Sequence, residues 1–367
     1  MPEYRCDPLT GQTVLIAEER MARPHQFDIE NNGSDAKRAH CPFCEGNEMM
    51  TPCEFAAYRP ADSPRDATGW QVRVIQNKYP AVLRDDERFP DCTSFQNYLA
   101  ESTVQAADAG SPIPIEGVGH HEVIVETPRH ILCVSEMTET EAENMFRIYG
   151  ERIAALRQEN RWAFVQIFKN VGAAAGASIP HSHSQLIAMP FIPNAFRQLL
   201  KNAADYRNKT QRCYWCSMLE TELTEQKRII EETEHFVALC PFASRFAGEI
   251  KVYPKKHQAD FDAVIADETV LSEFALLVRR MVQKLKKTTS RVSKNMAYNF
   301  VLHSNSFVLP TEYKDDNEEL FHWSLTILPS LARAAGFEWG TALHINPVSP
   351  ETAAKMLRDS FPPCCNR

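Results

Sequence analysis

Cysteine and histidine residues recur along the chain twice in the same order. In each half a C-x-x-C pair comes first, one histidine follows at the end of a strand-like segment, and a second precedes the last strand-like segment. The two sets are Cys41, Cys44, His130 and His181, and Cys213, Cys216, His257 and His322. Two thiolates and two imidazoles complete a closed tetrahedral Zn²⁺ site. Each set therefore predicts a zinc site, and their repetition predicts a duplicated domain.

Other interpretations of these residues remain. The cysteines could be buried free thiols, which pack as small hydrophobic groups. The interpretation as buried free thiols fits the isolated cysteines better than the C-x-x-C pairs. The isolated cysteines are Cys53, Cys92, Cys133 and Cys240. His120 and His121 compete with His130 for the first site, but we favour His130 because His257 ends a strand in the same way. The pair His120-His121 has no counterpart in the second half, so we expect these two histidines on the surface, at the start of a strand.

The length of the chain also indicates two units. A single hydrophobic core stops growing at roughly 250–300 residues, and this chain has 367. Both halves show the order strand, strand, helix, strand, strand, with helices near 138–160 and 267–287. We predict an α+β fold of two fused repeats, each an antiparallel sheet with a crossing helix. The catalytic repeat is placed at 1–196, a polar linker at 197–211 and the second repeat at 212–367.

Composition limits the class of protein. Lys and Arg total 40 against 48 Asp and Glu, and the net charge of −8 provides no overall positive field to attract nucleic acid. A phosphorylated small molecule needs only a few local donors. Segment 1–20 lacks the apolar run of a secretion signal. The sequence contains no stretch of about 20 apolar residues, so we predict no membrane-spanning helix. The 11 cysteines then suggest a reducing cytoplasm.

The segment 168–185 carries the most specific chemical signal. Gly172 and Gly176 loosen a loop so that backbone N–H groups can approach a phosphate, and Asn170 and Ser178 can add side-chain donors. Such a loop alone is more often a plain turn. The residues that follow it make a phosphate site the better interpretation.

His181, His183 and Gln185 follow the loop at alternate positions. Alternate residues of a strand share a face, so the three side chains are expected to point toward one site. With His181 on the metal, His183 is a free imidazole and a competent nucleophile toward phosphorus. A satisfied pair of core histidines is the alternative. Gln185 cannot exchange a proton, but its amide can donate a hydrogen bond to a phosphoryl oxygen.

Gln185 also indicates the reaction class. An amine or alkoxide leaving group needs a general acid, for which a third histidine would be the natural residue. A sugar phosphate leaves as a stable anion without one. Glutamine at this position therefore favours exchange of a nucleotide between phosphates over hydrolysis of a nucleotide ester or amide.

At these residues the chain resembles the galactose-1-phosphate uridylyltransferase family of the histidine triad superfamily. The resemblance covers nearly the whole chain. It is carried by Cys41-Pro-Phe-Cys44-Glu-Gly-Asn47, Gln76-Asn77-Lys78-Tyr79-Pro80, the segment 170–185, and an opening Asp7-Pro-Leu-Thr-Gly-Gln-Thr-Val with Arg20 and Arg23 before His25. It implies two histidine-triad-like repeats and a ping-pong reaction. His183 would take UMP from UDP-glucose and pass it to galactose 1-phosphate.

The resemblance also implies roles for individual residues and an assembly. Zinc would be held by Cys41, Cys44, His130 and His181. The nucleotide and phosphate site would be lined by Arg20, Arg23, Asn77, Asn170, Gly176, Ser178 and Gln185, and Phe337 would lie in the sugar-contacting segment 336–341. Family members resemble one another in forming homodimers whose active sites borrow residues from the partner chain.

Departures from the family pattern leave alternatives open. The usual H-P-H-G-Q reads His181-Ser-His183-Ser-Gln185 here. This change, with segment 336–341, resembles a branch that includes an ADP-glucose phosphorylase, which uses the same intermediate with phosphate as acceptor. The second repeat carries Ser324 at the nucleophile position, which predicts one active site per chain. A zinc-ribbon nucleic-acid-binding module would be a different class, but it requires a basic face that the net charge of −8 does not favour.

Overall fold

Thirteen strands form two sheets in the computed structural model, which describes residues 3–7, 10–11, 13–16, 40–109, 114–290, 296–309, 320–331 and 335–360. The strands are β1 Glu3–Cys6, β2 Thr13–Ile16, β3 Glu54–Tyr58, β4 Val72–Gln76, β5 His120–Val125, β6 Phe164–Val171, β7 His183–Met189, β8 Ile229–Glu232, β9 Phe236–Leu239, β10 Ile250–Pro254, β11 Tyr298–His303, β12 Ser324–Pro329 and β13 His344–Asn346. Arg20 and Arg23, predicted to bind substrate, and the Cys364-Cys365 tail lie outside the described residues.

One continuous ten-stranded sheet spans both repeats, in the order β3-β4-β5-β7-β6-β11-β12-β10-β9-β8. All its neighbouring strands are antiparallel. The α+β fold of two repeats is confirmed, but the two half-sheets are joined rather than separate. They meet where β6 pairs with β11, with Lys169 opposite Phe300. A small sheet, β1-β2-β13, lies outside this one.

Seven helices accompany the sheets among the described residues: α1 Cys92–Ala109, α2 Glu139–Gln158, α3 Asn194–Thr210, α4 Tyr214–Glu225, α5 Glu268–Thr289, α6 Gly336–Thr341 and α7 Pro350–Ser360. The helices expected at 138–160 and 267–287 are confirmed as α2 and α5. Thr138 and Glu141 form a capping box at the start of α2, and Asp267 caps α5 through the backbone N–H groups of Thr269 and Val270. Side-chain acceptors satisfy N–H groups that the first turn leaves unpaired, so both helices begin where the sequence predicts.

The hydrophobic core lies between the large sheet and the helices α2 and α5. The two helices pack against each other, and the rings of Phe146 and Phe274 are 4.7 Å apart. On β7, Leu186 and Ala188 belong to this core, whereas the alternate residues Gln185 and Ile187 are partly exposed. The face of β7 that carries His183 and Gln185 is therefore the face turned away from the helical core.

Helix α3 occupies most of the segment 197–211 that was predicted to be a linker. The domain boundary itself stays a prediction. Within the described residues, no helix combines the length and the apolar character that crossing a membrane would require.

Candidate active site and metal clusters

The first predicted metal set is brought together beside the start of β7. Cys41 and Cys44 lie on one tight turn, in which the Cys44 N–H donates to the Cys41 carbonyl at 3.2 Å. Nδ1 of His181 is 3.6 Å from both sulfurs, and Nδ1 of His130 is 3.1 Å from Sγ of Cys44. Zn–S and Zn–N bonds at tetrahedral angles place sulfur and nitrogen about 3.6 Å apart. The spacing therefore fits one tetrahedral ion.

His181 is also in the protonation state that a metal ligand needs. Its Nε2 donates to the carbonyl of Thr127 at 2.8 Å, which leaves the Nδ1 lone pair facing the cysteines. Burial lowers the pKa of His181 to about 4, so the ring is neutral at neutral pH.

The second metal set repeats this arrangement. Sγ of Cys216 is 3.3 Å from Nδ1 of His257 and 3.8 Å from Nδ1 of His322. Nε2 of His322 donates to the carbonyl of Pro254 at 2.8 Å, as His181 does in the first repeat. The ligand atoms of each set, with Cys213 completing this one, lie within 4.8 Å of one another. Both clusters could hold a metal ion.

His183 begins β7 next to the first cluster and is 8% exposed. Its Nδ1 lies 2.7 Å from the carbonyl of His181. A carbonyl only accepts hydrogen bonds, so Nδ1 carries the proton. Burial, followed by the positive charge of Lys169, lowers the pKa of His183. The neutral ring therefore presents an unprotonated Nε2, which is the atom required of a nucleophile. Its ring is 5.0 Å from that of Phe43.

Gln185 shares the sheet face of His183 and is held by polar neighbours. Its Oε1 is 2.9 Å from Nε2 of His121 and 3.4 Å from Nδ2 of Asn77. Asn77, predicted to bind substrate, therefore lies in the site. His120 and His121 are only 8% and 6% exposed, so the prediction that they form a surface pair is wrong. They are buried because β5 is an interior strand of the sheet, between β4 and β7.

The small-residue loop lies between β6 and β7. Gly172 and Gly176 have backbone φ angles of +82° and +86°, which residues other than glycine rarely adopt. A Cβ at Gly176 would lie 3.8 Å from Nδ2 of Asn170, whose Oδ1 accepts from Asn299 at 2.7 Å. The amide nitrogen of Asn170 is thereby directed at the loop, on which Ser178 is exposed.

Phe337 lies in α6 and is 43% exposed. Among the described residues, no hydrogen bond or ring contact joins it to β7. In the second repeat Ser324 begins β12 two residues after His322 of the second cluster, as His183 begins β7 two residues after His181. Ser324 has no imidazole, so the described part of the second repeat offers no equivalent nucleophile at this position.

Comparison with known proteins assigns the family. Residues 1–193 match the family described as galactose-1-phosphate uridyl transferase, N-terminal domain. The chain belongs to the galactose-1-phosphate uridylyltransferase family. It is a nucleotidyltransferase.

Two relatives of the uridylyltransferase family align over almost the whole chain. An ADP-glucose phosphorylase from Arabidopsis thaliana is 32% identical over 359 residues, with 98% of this chain and 93% of that protein covered. A galactose-1-phosphate uridylyltransferase from Thermotoga maritima is 28% identical over 366 residues, with 98% and 99% covered. A solved structure of an A. thaliana ADP-glucose phosphorylase with bound ADP-glucose matches with a TM-score of 0.76 and 30% identity, over 98% of this chain and 99% of that chain.

The serines that replace proline and glycine in the uridylyltransferase motif share one buried partner, Glu126. Ser182 Oγ donates to Glu126 Oε2 at 2.7 Å, and Ser184 Oγ donates to Oε1. Nζ of Lys169 contacts Glu126 Oε2 at 2.5 Å and the backbone carbonyl of His183 at 3.0 Å. Tyr149 of α2 donates to Glu126 Oε1 at 2.8 Å. A polar network thus underlies the strand of His183, on the helix side of the sheet.

Glu126 stays ionised in this network. Burial acts to raise its pKa, but the charge of Lys169 and the hydrogen bonds from Lys169, Ser184 and Ser182 hold the pKa below its usual value. The Glu126–Lys169 pair is almost completely buried, with exposures of 0% and 1%. Removing one member of such a pair leaves an uncompensated charge in a low-dielectric interior.

We expect Lys169→Met to lower the free energy of unfolding by about 3–5 kcal/mol, because Glu126 loses its counter-ion. Urea denaturation measures the change. Lys169→Met combined with Glu126→Gln removes both charges and should recover most of the loss. Lys355→Met is the matched control, because the Lys355–Asp359 pair has exposures of 74% and 66% and should change stability by less than about 1 kcal/mol. Equal effects in the two single variants would contradict the prediction.

Proposed function

We propose that this nucleotidyltransferase works through a covalent nucleotidyl intermediate on Nε2 of His183. Nε2 attacks the α-phosphorus of a nucleotide sugar, and the bond from that phosphorus to the bridging oxygen breaks. The hexose 1-phosphate departs with the electron pair. In the second half-reaction an oxygen of the acceptor phosphate attacks the same phosphorus, the P–N bond breaks, and His183 returns to its neutral state.

The observation that carries this proposal is the tautomer of His183. The hydrogen bond from Nδ1–H to the His181 carbonyl, at 2.7 Å, leaves Nε2 with its lone pair free. The same carbonyl stabilises the positive charge that the ring acquires when Nε2 bonds to phosphorus. Gln185 and Asn77, on the same side of the sheet, provide amide groups for the phosphoryl oxygens. The leaving sugar phosphate is a stable anion and needs no general acid.

The first candidate for the reaction is phosphorolysis of ADP-glucose. It is supported by the A. thaliana phosphorylase, at 32% identity, and by the related structure with bound ADP-glucose. The second candidate is transfer of UMP from UDP-glucose to galactose 1-phosphate, which is the reaction that the family resemblance implies. It is supported by the T. maritima uridylyltransferase, at 28% identity over nearly all of both chains. Both reactions pass through the same intermediate.

Zinc is the metal that we propose for both clusters. Paired thiolates and imidazole Nδ1 atoms at these separations suit a closed tetrahedral site. Cys41, Cys44, His130 and His181 would hold one ion, and the corresponding set of the second repeat the other. When bound, the ion contributes folding free energy and holds the start of β7 in place. With four protein ligands it leaves no position open for substrate.

A homodimer is also proposed, from the resemblance and from the exposure of α6. Phe337 and Trp339 are 43% and 80% exposed, which suits a segment that contacts a partner's active site. Sedimentation equilibrium tests the assembly, and a monomer at micromolar concentration would contradict it.

Intact mass spectrometry distinguishes the nucleotide donors. The protein is incubated with ADP-glucose or UDP-glucose separately, and the mass added to the chain identifies AMP or UMP. Phosphate or galactose 1-phosphate is then added to find which acceptor removes the adduct. Absence of an adduct with either donor, in protein that retains its metal, would contradict the covalent mechanism.

We expect Gln185→Ala to slow transfer by roughly 10²–10³, the usual loss for one oxyanion-type donor. The acceptance of different leaving groups should stay unchanged, because glutamine supplies no proton. Gln185→His introduces a possible general acid. It should raise the hydrolysis of nucleoside phosphoramidates relative to transfer between phosphates. Rates on both substrate types in wild type and variant measure the ratio, and an unchanged ratio would refute the argument from glutamine to reaction class.

A further inference from the structure

His121 is a buried histidine whose protonation can be assigned from its neighbours. The backbone N–H of Ala81 donates to Nδ1 of His121 at 3.1 Å. A backbone N–H is always a donor, so Nδ1 must carry a lone pair. Burial lowers the pKa of His121, which keeps the ring neutral. A neutral imidazole with an unprotonated Nδ1 carries its proton on Nε2.

The Nε2–H of His121 points at the side-chain oxygen of Gln185. The distance from Nε2 to Oε1 is 2.9 Å. Nδ2 of Asn77 lies 3.1 Å from Nε2 of His121 and 3.4 Å from Oε1 of Gln185. Because Nε2 of His121 carries a proton, it cannot accept from Asn77, so the N–H group of Asn77 donates to the same oxygen. The orientation of Asn77 is itself determined, because its Oδ1 accepts from the backbone N–H of Tyr79 at 2.9 Å. Two donors therefore face Oε1 of Gln185.

This arrangement determines which end of the Gln185 amide remains available. An amide has nearly the same shape in its two flipped orientations, so packing alone does not choose between them. With Oε1 directed at the two donors, the NH₂ group is left for other partners. In the opposite orientation the carbonyl oxygen would face the phosphoryl oxygens and repel them.

We infer that His121 is a positioning residue that orients the Gln185 amide so that its NH₂ group faces the phosphoryl group. The inference rests on the proposed function, since it assumes that Gln185 contacts the substrate phosphate. His121 itself touches Gln185, Asn77 and the Ala81 backbone. It acts on the reaction only through the direction of one amide.

The test is a double-mutant cycle of His121→Phe with Gln185→Ala. Phenylalanine keeps a ring of similar shape but has no N–H. With whichever of ADP-glucose and UDP-glucose labels the wild type, we expect His121→Phe to lower the rate of adduct formation by on the order of 10²-fold, with a small change in KM, because a reacting group is misdirected. In the Gln185→Ala background the same substitution should have little further effect.

The control is His120→Phe, which changes the adjacent buried histidine. His120 contacts Glu122 at 2.8 Å and makes no contact with Gln185 among the described hydrogen bonds. This variant should keep the wild-type rate if it folds. Two results would overturn the inference. One is that His121→Phe slows adduct formation as strongly in the Gln185→Ala background as in wild type, and the other is that His121→Phe has no effect on the rate when Gln185 is present.

A second measurement does not depend on activity. In ¹⁵N-histidine protein, the signal that disappears in His121→Phe should show a protonated Nε2 and an unprotonated Nδ1. An Nδ1–H tautomer would overturn the inference whatever the activity. If neither nucleotide sugar labels the wild type but the Nε2–H tautomer is present, the proposed function fails while the hydrogen bond to Gln185 stands.

Discussion

Replacing His183 by alanine is expected to abolish nucleotidyl transfer while leaving the fold and the metal content intact. The imidazole is the proposed attacking group, and no neighbouring side chain can replace a covalent nucleophile. His183 is not grouped with the first metal cluster, so its removal spares the four ligands. We expect no covalent adduct by intact mass and a rate at least about 10⁴-fold lower, as for removal of other catalytic nucleophiles. Circular dichroism and metal analysis check that the variant is folded.

Ser324→Ala is the matched control for this substitution. Ser324 begins β12 after a metal-cluster histidine, as His183 begins β7, but it is a hydroxyl residue. Turnover should be unchanged, and one nucleotide per chain should be found in both wild type and Ser324→Ala. Turnover retained by His183→Ala, or two nucleotides per chain in wild type, would refute the single-nucleophile mechanism.

Replacing Cys41 by serine is expected to remove the metal from the first cluster and to destabilise the chain severely. A structural zinc site contributes on the order of 10 kcal/mol of folding free energy, which is comparable to the whole stability of a typical domain, about 5–15 kcal/mol. Metal analysis should show the zinc content falling from about two ions per chain to one or fewer. The yield of folded protein and the melting temperature should fall with it.

Cys53→Ser provides the control for this second experiment. Cys53 is exposed and belongs to neither metal cluster. In Cys53→Ser the same change of sulfur to oxygen should leave the metal content and the melting temperature close to those of the wild type. Normal zinc content and stability in Cys41→Ser would exclude a structural metal at the first cluster. His181→Ala, which removes a ligand from the same cluster by a different residue type, should reproduce the loss.

The periodicities of the sequence are strong enough to locate several elements and side chains. The capping residues Thr138 and Asp267 mark the starts of α2 and α5, because helix caps are local interactions. The alternation of His183 and Gln185 places both on one face of β7, because residues two apart in a strand share a side. Each C-x-x-C pair lies close to its two histidines because each repeat has the same order of strands.

Contacts between strands that are distant in the sequence could not be predicted from such local patterns. His121 was expected at the surface, since nothing local distinguishes an edge strand from an interior one, and only the pairing of β5 with β7 brings it to Gln185. The Glu126–Lys169 pair had a possible signal, because a lysine interrupts the apolar run of β6. Its partner Glu126, however, lies more than 40 residues earlier, just after the end of β5.

From the amino-acid sequence alone it was possible to locate the two candidate metal-ligand sets, the predicted nucleophile with its neighbouring glutamine, and the helices that cross the sheet. Each of these depends on spacing within one segment or on the order of segments. Three other features became apparent only in the folded chain: β6 and β11 join the repeats into one sheet, Ser182 and Ser184 share Glu126, and His121 faces Gln185. These contacts depend on the register of strand pairs, and register is determined by the packing of the whole sheet rather than by the residues of one strand.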